Sequence, residues 1–285
     1  MNTPFYRRRL AFTLVELLVT IAIIGILIGL LAPALQGMRE SVRRTQCQAN
    51  LNTIGWALQN YHDRWDQFPI GTIAESTPVR SEAKGLHHNW LGRLSDLLDQ
   101  PVIARKIDRS ISVYESPNTT LLQLNLPVVQ CPSSRAITDG FSSYVGLHHV
   151  KESPITESDS GAFVLNTVVT RDDVRDGLTN TAFVSEKWSS VTDLGWLSGT
   201  RATLRNVAGG IQTNSTFTPP TDPLVVGGIG SRHAGGAHVL FGDGAVRFQT
   251  AQIEQQVLVQ MVDRDDGQIP MLFQSIDEQR KRSLQ

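Results

Sequence analysis

Cysteine is scarce in this chain of 285 residues: only two are present, which excludes a disulfide-rich scaffold and a four-cysteine zinc site. Net charge is also nearly absent, at −1, so the sequence gives no support for binding nucleic acid through bulk electrostatic attraction. Aromatic residues are few, at 7%, and offer few stacking platforms. Hydrophobic residues make up 40%, however, which suffices for a sizeable core and excludes a disordered chain.

Recognised catalytic motifs are missing as well. The sequence contains no H-E-x-x-H, no G-x-S-x-G, no P-loop, and no G-x-G-x-x-G between a strand and a helix. Neither cysteine has a neighbouring His or Lys in sequence to lower its pKa. The sequence therefore predicts a protein that is not an enzyme and carries no cofactor.

One long hydrophobic run is present near the N-terminus. The 24 residues from Phe12 to Leu35 include a single charged residue, Glu16. About 20 apolar residues in a helix span the core of a bilayer. Because the arginines at 7–9 precede the run and favour the cytoplasmic side, we expect one span over 12–35 with the rest of the chain exported.

Three interpretations of this run compete. A cleaved signal peptide has an apolar stretch of about 7–15 residues, which is shorter than this one, although Ala32-Pro33-Ala34 offers a cleavage site. A plain anchor accounts for the length but not for Glu16, since a carboxylate in a membrane helix costs a few kcal/mol unless it finds a partner. The third interpretation supplies that partner.

The string LAFTLVELLVTIAIIGILIGLLAPAL, residues 10–35, resembles the N-terminus of type IV pilins and of type II secretion pseudopilins. The resemblance implies that a prepilin peptidase cuts between Ala11 and Phe12 and that the new Phe12 amine is methylated. It also implies that Glu16 meets the amine of a neighbouring subunit. Gly is the usual residue before the cut, and Ala11 departs from that pattern. Loss of the leader, residues 1–11, removes three arginines and no acids, so the remaining chain is mildly acidic.

A helical pattern continues beyond the apolar run, over residues 36–63. Apolar residues three or four positions apart predict one apolar face, made of Leu35, Met38 and Val42 and then of Leu51, Ile54, Leu58 and Tyr61. Phe68-Pro69 marks the exit from this helix. We therefore expect a single helix of about 50 residues, ending near Asp63.

Short apolar segments bounded by Gly, Pro, Ser and Asp follow, and predict a mainly β domain over 64–275 with a polar tail over 276–285. Strands are expected at 163–169 and 181–188. A hairpin is expected from 239–241 and 245–248, joined by Gly242-Asp243-Gly244. The predicted fold class is α+β, with a long N-terminal helix packed on a mainly antiparallel β head domain.

Further motifs resemble a large pilin-like family abundant in planctomycetes, whose members carry a domain of unknown function and a motif H-x9-D-G. The matching residues include Cys47-Gln48-Ala49-Asn50-Leu51, Cys131-Pro132-Ser133, Asp176-Gly177 with Glu186, and His233 followed by Asp243-Gly244. The resemblance implies a protein of the bacterial inner membrane with its N-terminus in the cytoplasm and its head in the periplasm. Its partners would be prepilin peptidase and other pilin-like subunits, not nucleic acid.

Cys47 and Cys131 lie in the exported domain, where thiols oxidise, so a disulfide is favoured over two buried free thiols. Such a bond would close a loop of about 85 residues and stabilise the fold by about 4 kcal/mol in the chain-entropy model.

Two weaker metal hypotheses remain open. A metal or carbohydrate contact through His233, His238 and Asp243 is an alternative to a hairpin with a buried, hydrogen-bonded histidine. Asp176-Gly177, followed by Thr179-Asn180-Thr181, offers the oxygen ligands that Ca²⁺ prefers, and calcium there is an alternative to a simple turn before a strand.

The leading hypothesis is a pseudopilin-like structural subunit that assembles through its N-terminal helix into a pseudopilus or secretion filament. The alternative is a membrane-anchored periplasmic module that does not polymerise and binds a glycan or an ion near His233 and Asp243. The two hypotheses differ on N-terminal processing and on assembly.

Overall fold

The computed structural model describes residues 14–134, 139–213, 218–268 and 270, and begins with one long helix, α1, Leu14–Trp65. This helix ends two residues beyond the predicted Asp63. Asp66 follows it with a left-handed φ of 52°, and its N–H donates to the carbonyl of His62 at 2.7 Å, which closes the last turn. The leader, Ala11 and Phe12, and the polar tail over 276–285 lie outside the described residues.

The first part of α1 is apolar and uncovered. By length and composition it can cross a membrane, and none of its most apolar 18-residue window is buried. The large apolar side chains from Leu14 to Leu35 are exposed, at 79% for Leu14 and 47% for Leu35. A surface of this kind is stable only against lipid or against other apolar helices.

The described chain divides into two compact units with the boundary between Val42 and Arg43. The second unit contains the last part of α1, and here the predicted apolar face is buried. Its buried apolar side chains are Cys47, Leu51, Ile54, Ala57, Leu58 and Tyr61. The spacing of three and four residues therefore identified the packed face correctly from Leu51 to Tyr61. The prediction is wrong for Leu35, Met38 and Val42, which are exposed because they precede the packed part of the helix.

The remaining helices and strands of the second unit are short. In chain order they are β1 Thr72–Ile73, β2 His88–Asn89, α2 Trp90–Leu94, α3 Pro101–Lys106, α4 Asn118–Leu122, a 3₁₀ turn Pro127–Val129, β3 Tyr144–His149, β4 Ala182–Glu186, β5 Leu204–Asn206, β6 Gly236–Phe241, β7 Val246–Thr250 and α5 Gln255–Val262.

The main sheet has five strands in the order β5-β3-β4-β6-β7, and all neighbours are antiparallel except the parallel pair β3–β5. One face packs on α1 and the other on α5. On β6, Leu240 lies in the same core as Leu51 of α1, whereas Val239 and Phe241 lie with Leu258 of α5. The predicted α+β class, with a mainly antiparallel head, is confirmed.

The strand predicted at 163–169 is wrong, although most of the segment is buried. Asn166 adopts a φ of 51°, which interrupts the extended backbone, and its side chain bonds both the N–H and the carbonyl of Ala74. Only isolated bridges remain, such as Phe68 with Val169. The other strand prediction, 181–188, corresponds to β4.

Candidate functional site

The turn between β6 and β7 is the predicted Asp-Gly hairpin. Gly244 has a φ of 88°, a conformation that favours glycine, and Asp243 Oδ1 accepts from the N–H of Ala245 at 2.9 Å. Asp243 Oδ2 lies 3.8 Å from a guanidinium nitrogen of Arg247. The carboxylate of Asp243 therefore stabilises the turn and contacts Arg247 on the neighbouring strand.

His233 is not brought to Asp243. It precedes β6 and Asp243 follows that strand, so the six residues of β6 separate them. The joint site of His233, His238 and Asp243 is therefore not formed. His238 does meet His233: their ring centroids are 5.4 Å apart and nearly perpendicular.

His233 instead lies in a group that we call the buried cluster, made of Cys47, Cys131, Glu186 and His233. Cys47 and Cys131 form a disulfide with a Cα–Cα distance of 5.1 Å and a sequence separation of 84. His233 Nε2 lies 3.4 Å from Cys131 Sγ and 3.3 Å from Glu186 Oε1. One ligand-type atom from each of the four residues lies within 4.8 Å of all the others.

Glu186, the last residue of β4, is held by the neighbouring strand. Its Oε2 accepts from the backbone N–H of His238 at 3.1 Å, and its Oε1 lies 3.2 Å from His238 Nδ1. Burial raises the pKa of Glu186, but the hydrogen bonds from His233 and His238 outweigh burial and bring the pKa to about 2. The carboxylate is therefore ionised at neutral pH, although its side chain is only 2% exposed.

Each member of the buried cluster comes from a different part of the fold, so the cluster joins α1 to the sheet. Further bonds follow the same route. Tyr144 on β3 donates its hydroxyl to the carbonyl of Cys47 at 3.2 Å, and Asn50 Nδ2 donates to the carbonyl of Gln130 at 2.9 Å. The guanidinium of Arg44 lies 3.5 Å from the ring centroid of Phe248 on β7.

Asp176, the other predicted metal candidate, lies in a turn. Its two carboxylate oxygens accept from the backbone N–H groups of Asp266 and Gly267, each at 2.9 Å. Asn180 Nδ2 donates to the carbonyl of Asp176 at 2.8 Å, and β4 begins shortly afterwards. This geometry is the turn that the sequence favoured over calcium. Burial, together with the charge of Asp176, raises the pKa of Asp266 to about 6.

The sequence favoured the disulfide but did not predict that Glu186 and His233 lie together beside it. One signal was present: His238 interrupts the apolar run of β6 and Glu186 ends β4, and charged or polar residues in buried strands need partners. Their pairing needs the register of β4 against β6, which the sequence alone does not fix.

Comparison with models of protein families gives two matches. A model described as "Protein of unknown function (DUF1559)" matches residues 36–256, which is more than half of the chain. The chain belongs to the DUF1559 family. A second model, described as "Prokaryotic N-terminal methylation motif", matches residues 6–32. The comparison with curated proteins found no match, and neither did the comparison with solved structures.

The two matches cover different parts of the DUF1559 protein. The methylation motif reaches Ala32, within the apolar part of α1, and together with that helix indicates a pilin-like protein with a single-pass membrane anchor. All four residues of the buried cluster lie within the DUF1559 match. The predicted resemblance to a pilin-like family with a domain of unknown function is confirmed.

Proposed function

We propose that this DUF1559 protein is a non-catalytic structural subunit, cut by prepilin peptidase and assembled through α1 into a pseudopilus or another pilus-type filament. The observation that carries the proposal is the N-terminal methylation motif, residues 6–32, which leads into a helix with uncovered apolar side chains. We place the anchor in the inner membrane, the N-terminus in the cytoplasm, and the head in the periplasm.

Assembly follows from the surface of α1. On assembly, its apolar side chains leave lipid and contact the apolar side chains of neighbouring helices, so the move from lipid into a helical bundle costs little free energy. Helix packing and polar pairing therefore decide whether the subunits associate. An added Cβ at Gly25 or at Gly29 would meet nothing within 4 Å, and this small-xxx-small pair lets a second helix approach closely. Glu16, exposed in the first turn of α1, is the proposed partner of the Phe12 amine of a neighbouring subunit.

The buried cluster supports a structural rather than a catalytic role for the head. The side chains of the buried cluster are at most 4% exposed, and its two cysteines form a disulfide, so the oxidised protein offers no free thiol there. The disulfide also fits a domain on the oxidising side of the membrane.

The N-terminal residue and the mass of the protein, isolated from its native membrane, test the processing step. We expect a chain that starts at methylated Phe12. An intact Met1, or a start near Leu35, would overturn the proposal, because the first is an ordinary anchor and the second a secreted protein.

The role of Glu16 is tested by cross-linking subunits in the membrane. Glu16→Ala should reduce cross-linked multimers about tenfold, as expected for the loss of a pairing of about 1.4 kcal/mol. The matched control is Glu75→Ala, which removes an exposed acid of the head and should leave multimers unchanged. Wild-type multimer levels in Glu16→Ala would remove this step from the proposal.

A further inference from the structure

We infer that the buried cluster is a zinc site whenever its disulfide is open. In the oxidised protein a covalent bond ties α1 to the head at this point. In the reduced protein, Zn²⁺ bound by Cys47, Cys131, His233 and Glu186 ties the same elements together. The protein thus has two interchangeable forms of one link, selected by the redox state of its cysteines.

The donor set is one that zinc prefers, with two thiolates, one imidazole and one carboxylate. In a tetrahedral zinc site, bonds of about 2.0–2.3 Å place neighbouring ligand atoms about 3.3–3.8 Å apart. His233 Nε2 already lies 3.3 Å from Glu186 Oε1 and 3.4 Å from Cys131 Sγ. Breaking the disulfide lets the two sulfur atoms separate, and because the four ligand atoms all lie within 4.8 Å of one another, any other pair has to close by at most about 1.5 Å.

The surroundings orient these ligands. His238 bonds the carboxylate of Glu186 through both its backbone N–H, at 3.1 Å, and its ring Nδ1, at 3.2 Å. The backbone N–H of His233 donates to Ser231 Oγ at 3.1 Å, which fixes His233 three residues before β6 begins. Outer partners of this kind hold metal ligands in place before the ion arrives.

A path to the cluster is also present. A cavity of about 440 Å³ opens beside the disulfide and is lined by Cys131 together with Gln46, Asn50 and Gln130. More of the lining is apolar than polar, with Pro127, Val128, Pro132 and Phe141 beside the amide side chains, and an ion or a small reductant would pass these residues to reach Cys131. The cluster is therefore buried, but it lies directly behind the wall of this cavity.

The chemistry balances with one added reactant. A water-soluble phosphine supplies two electrons to the disulfide, which breaks; water gives its oxygen to the phosphine and its two protons to the two sulfur atoms. Zn²⁺ then displaces both thiol protons into solvent and binds the two thiolates. A newly exported chain reaches the same state without any reductant, because its cysteines have not yet been oxidised.

Cobalt binding to the full-length protein in detergent, without oxygen, tests this inference. After reduction with phosphine, we expect one equivalent of Co²⁺ to give thiolate charge-transfer bands and the intense visible bands of a tetrahedral ion. Zn²⁺ should displace the cobalt. The oxidised protein, given the same cobalt, should show neither feature.

Three variants assign the ligands. His233→Asn and Glu186→Gln should each weaken Co²⁺ binding at least about 100-fold and alter the visible spectrum. His148→Asn is the matched control, because His148, on β3, is equally buried but bonds Asp159, and this variant should bind cobalt as the wild type does. Unchanged affinity in His233→Asn or Glu186→Gln would show a thiol-only site and overturn the assignment.

The folding of the reduced protein provides a second readout. If reduction loosens the head, Zn²⁺ should restore its melting temperature in the wild type but not in Cys47→Ser. A reduced protein that stays folded and binds no Co²⁺, or one that unfolds and is not rescued by Zn²⁺, would overturn the inference. Neither outcome bears on the N-terminal processing proposed above.

Discussion

Burial of histidine gives individual residues of the head a direct effect on stability. Burial lowers the pKa of His62, His87, His88 and His149, and it is the largest influence on each. His87 shifts furthest, to about 4; it lies 4% exposed, with Nδ1 2.8 Å from the hydroxyl of Tyr114. These histidines are therefore kept neutral in the folded chain at a pH where the unfolded chain is already protonated.

We expect the head to lose stability in mild acid. Between pH 6.5 and about 4 the unfolded chain binds more protons at His87 than the folded chain does, so the free energy of unfolding falls as pH falls. The full contribution of His87 is on the order of 3 kcal/mol. Thermal unfolding at several pH values measures it, and His87→Asn should show a smaller loss than the wild type. Equal losses in both proteins would contradict this account.

A second charged group of the head depends on its partners. Lys187 follows Glu186 directly, and its ammonium pairs with Asp193, which also lies 3.3 Å from a guanidinium nitrogen of Arg205. All three side chains are at most 2% exposed. Loss of Asp193 would leave two buried cations without their shared counter-charge. The carboxylate therefore holds the loop that follows β4 against Arg205 of β5.

At the scale of elements, the second half of α1 has a buried face and an exposed face. Leu58 is 2% exposed and lies in the core beneath the sheet, whereas Trp56 is 67% exposed on the same helix. The contrast shows that the second half of α1 is a conventional amphipathic helix of a folded domain.

This contrast makes a matched pair of substitutions informative. Leu58→Ala should lower the free energy of unfolding by about 2–5 kcal/mol, because it removes buried methyl groups and leaves a cavity. Trp56→Ala should change it by less than about 0.5 kcal/mol, since an exposed side chain loses little packing. Thermal or denaturant unfolding of both variants measures the difference. A large effect of Trp56→Ala would mean that this side chain is covered by another surface in the intact protein.

The elements also show what the sequence can predict. The buried face of α1 was predictable because helical spacing is local, and the β6–β7 hairpin because Asp243-Gly244 determines a turn by itself. The irregular segment at 163–169 was not predictable, since its shape depends on Asn166 bonding a distant backbone. The cysteine pair could be proposed because only two cysteines exist. The place of Glu186 beside His233 could not, because it depends on strand register.

At the scale of the whole molecule, the two units differ in what stabilises them. All of the buried hydrophobic core of the described residues lies beyond Val42, together with both cysteines. Residues 14–42 therefore contribute an apolar surface and no core.

We expect a variant lacking residues 1–42 to be soluble, monomeric and cooperatively folded, because its core and disulfide are complete. Light scattering after size-exclusion chromatography and a thermal melt measure these properties. The matched control is the same fragment with Cys47→Ser, which should lose about 4 kcal/mol in the chain-entropy model. A fragment that aggregates or melts without cooperativity would show that the head needs its apolar helix to fold.

The position of the disulfide determines how a mechanical load enters the head. Cys47 lies four residues beyond the start of the second unit, so tension applied along the apolar part of α1 reaches a covalent crosslink almost at once. From there the load can pass to Cys131 and the sheet without crossing the chain between the cysteines, which are 84 positions apart in sequence. The helical turns beyond Cys47, which carry Leu51 and Leu58, then bear little of the force and stay packed on the sheet. When the apolar part of α1 is pulled, we expect the core around Leu51 and Leu58 to stay packed while the link between Cys47 and Cys131 holds.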